Sequence, residues 1–158
     1  MGSYASSIAN RLLTAGFHPE QTLQNRKVIA FGENGKRYSV DVNNGNSMVF
    51  AVDGYVITKG IRCDKFLAVF NNDTGIAVFV ELKGGEIMHA VDQLEATINN
   101  PLFLTYPTIQ DLARARIVST CGPKSASRIK FENAKIRFLK NYHIELRQIS
   151  SKDSPINL

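Results

Sequence analysis

The sequence predicts an α/β fold in which a central mixed sheet is flanked by helices, and three observations carry that expectation. Residues 61–85, IRCDKFLAVFNNDTGIAVFVELKGG, read as a hairpin: an apolar and aromatic run, a turn at Asn72-Asp73-Thr74-Gly75, then a run over 76–82 that is nearly all β-branched or aromatic. The second strand is apolar on both faces, as a central strand should be. Residues 86–99 follow with Ile87, Val91, Leu94 and Ile98 at spacings of four, three and four, the stripe of an amphipathic helix.

The remaining elements fall around this unit. Residues 3–15 predict a helix with Ile8, Leu12 and Leu13 as its apolar stripe, early serines to cap it and Gly16 to end it. Residues 17–25, with Pro19, read as a loop. A strand at 27–32, a turn at Asn34-Gly35 and a strand at 37–42 make a hairpin that sets Tyr38, Val40 and Val42 on one face. Residues 48–52 and 55–58 are strand candidates on either side of Asp53-Gly54. Beyond the central helix, Pro101 and Pro107 mark a loop, 116–120 a short strand and 144–149 a last strand, with a loose tail at 150–158; 125–141 reads as a basic helix in preference to strands over 128–131 and 135–138, which also alternate. No repeat, low-complexity stretch or linker divides the chain, so one domain over 1–158 is expected, with its core within 3–149.

Composition excludes several classes. The fractions of hydrophobic (44%) and charged (21%) residues are those of an ordinary globular domain. No apolar run approaches the roughly 18 residues of a membrane span, and the short N-terminal apolar stretch is broken by Asn10 and Arg11, unlike a secretory signal. Two cysteines, Cys63 and Cys121, make neither a disulfide framework nor a zinc spacing, so a cytoplasmic location is expected. The net charge of +5 is unevenly placed: from Arg114 onward ten Lys or Arg stand against Glu132, Glu145 and Asp153, whereas the first 113 residues hold nine basic and eleven acidic ones. A basic C-terminal third is compatible with a polyanionic partner, although taken alone it fits a solvated face better.

Into the apolar strand the sequence places Glu81 and Lys83. Strand positions two apart share a face, so a carboxylate and an ammonium project together. Burying charge on a central strand is costly unless the charge pairs or binds metal. Asp64, on the preceding strand, reaches the same sheet edge, and Gln93 falls on the helix flank that points toward the end of the strand. Plainer roles stay open: Asp64 as the cap of a neighbouring amide, Glu81 with Lys83 as an ion pair, Gln93 as an ordinary helix-flank residue, His89 and His143 as surface residues, and Cys63 as core.

A helix, hairpin strands, a strand carrying Asp, a strand carrying Glu-x-Lys, a helix carrying Gln and then another strand together resemble the PD-(D/E)xK nuclease superfamily. The resemblance rests on Asp64 in RCDKFLAV, Glu81 and Lys83 in VFVELKGG, and Gln93 in HAVDQLEAT, and it spans residues 3–120. It implies a restriction endonuclease-like αβββαβ core and a Mg²⁺-dependent deoxyribonuclease, with Mn²⁺ substituting and branched or foreign DNA among its substrates. It further implies Asp64, Glu81 and the backbone carbonyl of Leu82 as metal ligands. Lys83 then orients or deprotonates the attacking water, and Gln93 positions Lys83, water or the DNA backbone. Two departures stand out: Cys63 occupies the place where proline is usual, and the first helix has no acid before Glu20, so either metal binding rests on fewer carboxylates or another residue such as Glu33 or Asp53 substitutes. Arg62, Lys65, Lys124, Arg128, Lys130, Lys135 and Arg137 are the expected phosphate contacts. RNA is open as an alternative substrate, a homodimer or protein partner is expected, and a catalytically silent nucleic-acid-binding or interaction module on the same fold is the alternative reading.

Overall fold

The computed structural model describes residues 3–24, 27–33, 35–43, 45–82, 86–104 and 113–158. Among these the order is α1 (Tyr4–Thr14), β1 (Gln21–Gln24), β2 (Val28–Glu33), β3 (Lys36–Asn43), β4 (Asn46–Ala51), β5 (Lys65–Phe70), β6 (Gly75–Leu82), α2 (Ile87–Ile98), β7 (Ala113–Val118), α3 (Arg128–Tyr142), β8 (Ile144–Ile149) and β9 (Ile156–Asn157). The chain is α/β, with a mixed six-stranded sheet ordered β1-β4-β5-β6-β7-β8 and a second sheet ordered β2-β3-β9. No helix among the described residues is long and apolar enough to cross a membrane.

β4, β5 and β6 form an antiparallel meander, and β7 and β8 run parallel to β6. The turn between β5 and β6 is closed by the Asn71 side chain, whose Oδ1 accepts from the Asp73 and Thr74 amides at 3.0 and 2.8 Å. β6 is therefore interior, and its two apolar faces meet two different layers. Phe66, Ala68, Ala77, Phe79, Ala115 and Ile117 pack under the helices, whereas Leu67, Val69, Val78, Val80 and Val118 pack against the second sheet.

Among the described residues the helices flank one face of the sheet. β6-α2-β7 and β7-α3-β8 are successive parallel crossovers stepping the same way across the sheet, and crossovers of one hand that step one way place their helices on one side. α1 joins them there through Tyr4, Ala5, Ile8, Ala9 and Leu12, while Leu13, expected in the stripe, is 37% exposed. The β2–β3 hairpin covers the opposite face with Ile29, Phe31, Tyr38, Val40 and Val42. Asn34 of its predicted turn, and Pro107 of the later loop, lie outside the described residues.

Several expectations change. Residues 21–24 are an edge strand rather than loop, paired with β4; the sequence QTLQ alternates half-buried and exposed and so carries no apolar signal. Residues 55–58 are a turn rather than a strand, because Gly54 at φ 78° folds the chain back and the Ile57 amide donates to the Val52 carbonyl at 3.0 Å. The basic helix starts with a 3₁₀ turn at Ser125–Ser127, and α3 then buries Phe131, Ala134 and Phe138.

The tail over 150–158 is docked, not loose. Arg116 on β7 is fully buried beneath the second sheet; its Nε donates to Asp153 Oδ1 at 2.8 Å and its Nη2 to Glu145 Oε1 at 2.6 Å. The Tyr38 hydroxyl donates to Asp153 Oδ2 at 2.8 Å, and Arg114 Nη1 donates to the Ser154 carbonyl at 2.6 Å. β9 then pairs in parallel with β3. A buried guanidinium is tolerated when carboxylates meet it, and the tail supplies one of them.

Burial pulls the Asp153 carboxyl upward, but the Arg116 charge and the hydrogen bonds from Arg116 and Tyr38 outweigh it and hold the group below its ordinary value. A depressed folded pKa contributes stability above the unfolded pKa and loses it as pH falls through the folded one. Asp153→Ala should therefore cost about 3–5 kcal/mol at neutral pH. It should also flatten the loss of stability that wild type shows below about pH 4. Urea denaturation across that range checks both.

Candidate functional site

Asp64 and Glu81 both lie where the β5–β6 ladder ends. The strands pair from Phe70↔Gly75 to Lys65↔Val80. One step further the Asp64 amide still donates to the Val80 carbonyl at 3.1 Å, but the Leu82 amide is taken by Asp64 Oδ2 at 2.8 Å. The chain before Asp64 swings away toward α2. Cys63 N–H donates to Thr97 Oγ1 at 2.8 Å, and the Arg62 carbonyl accepts from Gln93 Nε2 at 3.3 Å. Glu81 and Leu82 continue paired with Ile117 and Val118 of β7. The result is a splayed sheet end at the carboxyl terminus of β6, the position at which a strand hands over to a crossover helix and ligand sites commonly form.

Glu81 shares the helix-covered face with Ala77 and Phe79 and is 2% exposed. Its charge is felt by Cys63: burial, reinforced by the Glu81 and Asp64 carboxylates against the Thr97 hydrogen bond, pushes that thiol up to about 12. Cys63 is thus a neutral core residue, the plainer of its readings. Asp64 does cap an amide. Lys83, with Gly84 and Gly85, lies outside the described residues.

The second sheet contributes to the same place. Ile29 and Phe31 of β2 face the core, so Glu33 at the end of that alternation faces the large sheet. Its carboxyl is pushed above the ordinary value, first by partial burial and then by the Asp64 charge, with Lys65 opposing. Among the described residues no group of three or more His, Cys, Asp or Glu is arranged to hold a metal ion.

α2 begins at this end of the sheet. Glu86 is its N-cap, accepting from the Met88 and His89 amides at 3.0 Å each, and the hydrogen bond from Met88 leads in holding its carboxyl below the ordinary value. Gln93, half-buried one turn on from exposed His89, lines a cleft of about 230 Å³ with Asp53, Gly60, Ile61, Arg62 and His89. Its Nε2 is held by Arg62, and its buried Oε1 has no hydrogen-bond partner among the described residues.

The structure divides the predicted phosphate contacts. Arg62 pairs with Asp53 at 2.6 Å, Lys65 with Glu20 at 2.9 Å, and Arg137 with both oxygens of Glu95 at 3.0 Å. Tyr142 also donates to Glu95 at 2.7 Å, so Arg137 belongs to a staple between α2 and α3. Lys135 makes a solvent-exposed contact with Glu132 at 3.5 Å. Lys124, Arg128 and Lys130 are exposed, with no ion pair among the described residues. Of these, Lys124 and Arg128 follow the carboxyl end of β7, and the Lys124 charge reaches Glu86. Lys130, Lys135 and Arg137 lie progressively further along α3, which returns toward the opposite end of the sheet.

Comparison with protein-family models, with curated proteins and with solved structures gives no match.

The amide-capping role of Asp64 is separable from its charge. Asp64→Ala strips the Leu82 amide of its acceptor and should cost about 1–3 kcal/mol. Asp64→Asn keeps an acceptor oxygen and should stay within about 1 kcal/mol of wild type. Urea titrations of the two variants read the difference.

Proposed function

We propose that this chain is a metal-dependent nuclease of the PD-(D/E)xK type that hydrolyses phosphodiester bonds of DNA. The observation that carries the reading is the splayed end of β5–β6, which brings Asp64 and Glu81 to the carboxyl terminus of an otherwise apolar central strand. An antiparallel β4-β5-β6 meander followed by α2 and a parallel β7, with α1 and the strands β1–β3 ahead of it, supports it, since the αβββαβ order that the resemblance implies is contained in that succession.

The donors suit a hard divalent cation. Asp64, Glu81 and the Leu82 carbonyl offer oxygen alone, the donor set a hard divalent cation takes. When bound, such an ion neutralises charge on the phosphate and makes a bound water acidic. In this reading Asp64 and Glu81 hold the ion. The hydrogen bond from the Leu82 amide fixes the Asp64 carboxylate. Lys83, two residues beyond Glu81 in the sequence, orients or deprotonates the attacking water and stabilises charge in the transition state. Gln93 offers its buried Oε1 to a donor at the mouth of the site.

A second reading, a catalytically silent nucleic-acid-binding module, draws on one observation: Asp64 Oδ2 is already engaged by a backbone amide. Incubating supercoiled plasmid and branched DNA with Mg²⁺, Mn²⁺ or EDTA separates the two. Metal-dependent cleavage supports the nuclease, and binding without cleavage supports the silent module. For the nuclease, Lys83→Ala should lose roughly 10²–10⁴-fold in rate while remaining folded and stabilised by Mn²⁺ in thermal melts. Wild-type cleavage by folded Lys83→Ala would remove Lys83 from the chemistry.

A further inference from the structure

The β2–β3 hairpin ends over the carboxylate site. β3 runs away from that end. Ser39, near its start, bridges Lys152 just after β8, whereas Val42 and Asn43 pair with Ile156 and Asn157. The C-terminal Leu158 in turn packs by Gly45, close to the far end of β5 at Phe70. The hairpin tip therefore overhangs the end of the sheet at which β6, β7 and β8 finish.

The tip is built to be narrow and cationic. Gly32 stands opposite Arg37, and a Cβ at Gly32 would run into the Lys36 carbonyl oxygen, so glycine lets the two strands close. Lys36 stands opposite Glu33 on the face that carries Tyr38 and Val40 toward the large sheet, and Arg37 points the other way. Neither Lys36 nor Arg37 makes an ion pair among the described residues, in contrast to Arg62, Lys65 and Arg137. Cations left unpaired beside a cluster of carboxylates suit a polyanion that bridges the two.

We infer that Lys36 and Arg37 at the hairpin tip grip the phosphate backbone on one side of the Asp64–Glu81 site, opposite Lys124 and Arg128, so that nucleic acid lies across the sheet end rather than along α3. This rests on the nuclease reading and adds to it a contact surface from the second sheet. The outward face of α3 is unsuited to a phosphate backbone, since it sets Ile129 (75% exposed) and Ile136 (65% exposed) between its cations.

The test compares two double variants that lose the same charge. Lys36→Ala/Arg37→Ala removes the tip cations, and Lys27→Ala/Lys140→Ala removes solvated cations from the opposite end of the sheet. Fluorescence anisotropy of labelled duplex and branched DNA is measured in EDTA from low to moderate salt, alongside melts of each protein. The tip variant should melt like wild type, bind about tenfold more weakly, and show a salt dependence shallower by about two on a log–log plot. The control pair should stay close to wild type. Wild-type affinity and slope in the tip variant would overturn this inference and leave the nuclease reading standing. An equal loss in both variants would also overturn it, pointing to net charge alone. Failure of the wild-type chain to bind or cleave any nucleic acid would overturn the nuclease reading and this inference with it.

Discussion

At the end of the β5–β6 ladder a side chain takes over a hydrogen bond that the backbone would otherwise make. Asp64 Oδ2 accepts the Leu82 amide while the Asp64 amide still reaches the Val80 carbonyl. That exchange lets residues 62 and 63 leave the sheet for α2 without orphaning a β6 donor. It also opens the strand pair at the residue where the buried Glu81 carboxylate sits, and it holds Asp64 beside it. The approach of Glu33 from the second sheet and the placement of Gln93 against the Arg62 carbonyl both follow from where that strand pair parts.

The two layers around the large sheet divide the work. The helix layer encloses the apolar face that carries Glu81, with Phe66, Phe79 and Phe103 packed ring against ring beneath it. The second layer is a thin sheet whose register is locked by a buried polar network of Arg116, Asp153, Tyr38 and Glu145. Such a network specifies one arrangement because any other leaves a guanidinium or a carboxylate buried without its partner. The hairpin can overhang the site in a defined position because the tail that follows β8 returns to clamp β3.

Charge counted along the chain proved a poor guide to charge available at the surface. Arg116 is wholly buried, Arg114 is spent on the tail and Arg137 on Glu95. Three of the ten cations in the C-terminal third are thus engaged within the fold. The cations left unpaired near the carboxylates include Lys36 and Arg37, which come from the near-neutral part of the sequence.

The sequence by itself determined the central hairpin, the helix after it and the last strand, because each has a strong local period: alternating or continuous apolar residues in strands, and four–three–four spacing in α2. It also marked Asp64 and Glu81, since a carboxylate in an apolar strand is conspicuous without any structure. Tertiary structure alone decided the rest. The edge strand QTLQ forms because β4 offers it hydrogen bonds, not because its residues favour a strand. The tail is ordered by Arg116, which lies 37 residues away, and nothing local in SSKDSPINL signals that partner. Glu33 joins Asp64 because the hairpin lies over one end of the large sheet rather than the other, a choice made by packing between layers. Local propensity acts over a few residues, whereas these placements depend on contacts between segments far apart in the chain, where sequence pattern carries no record of distance.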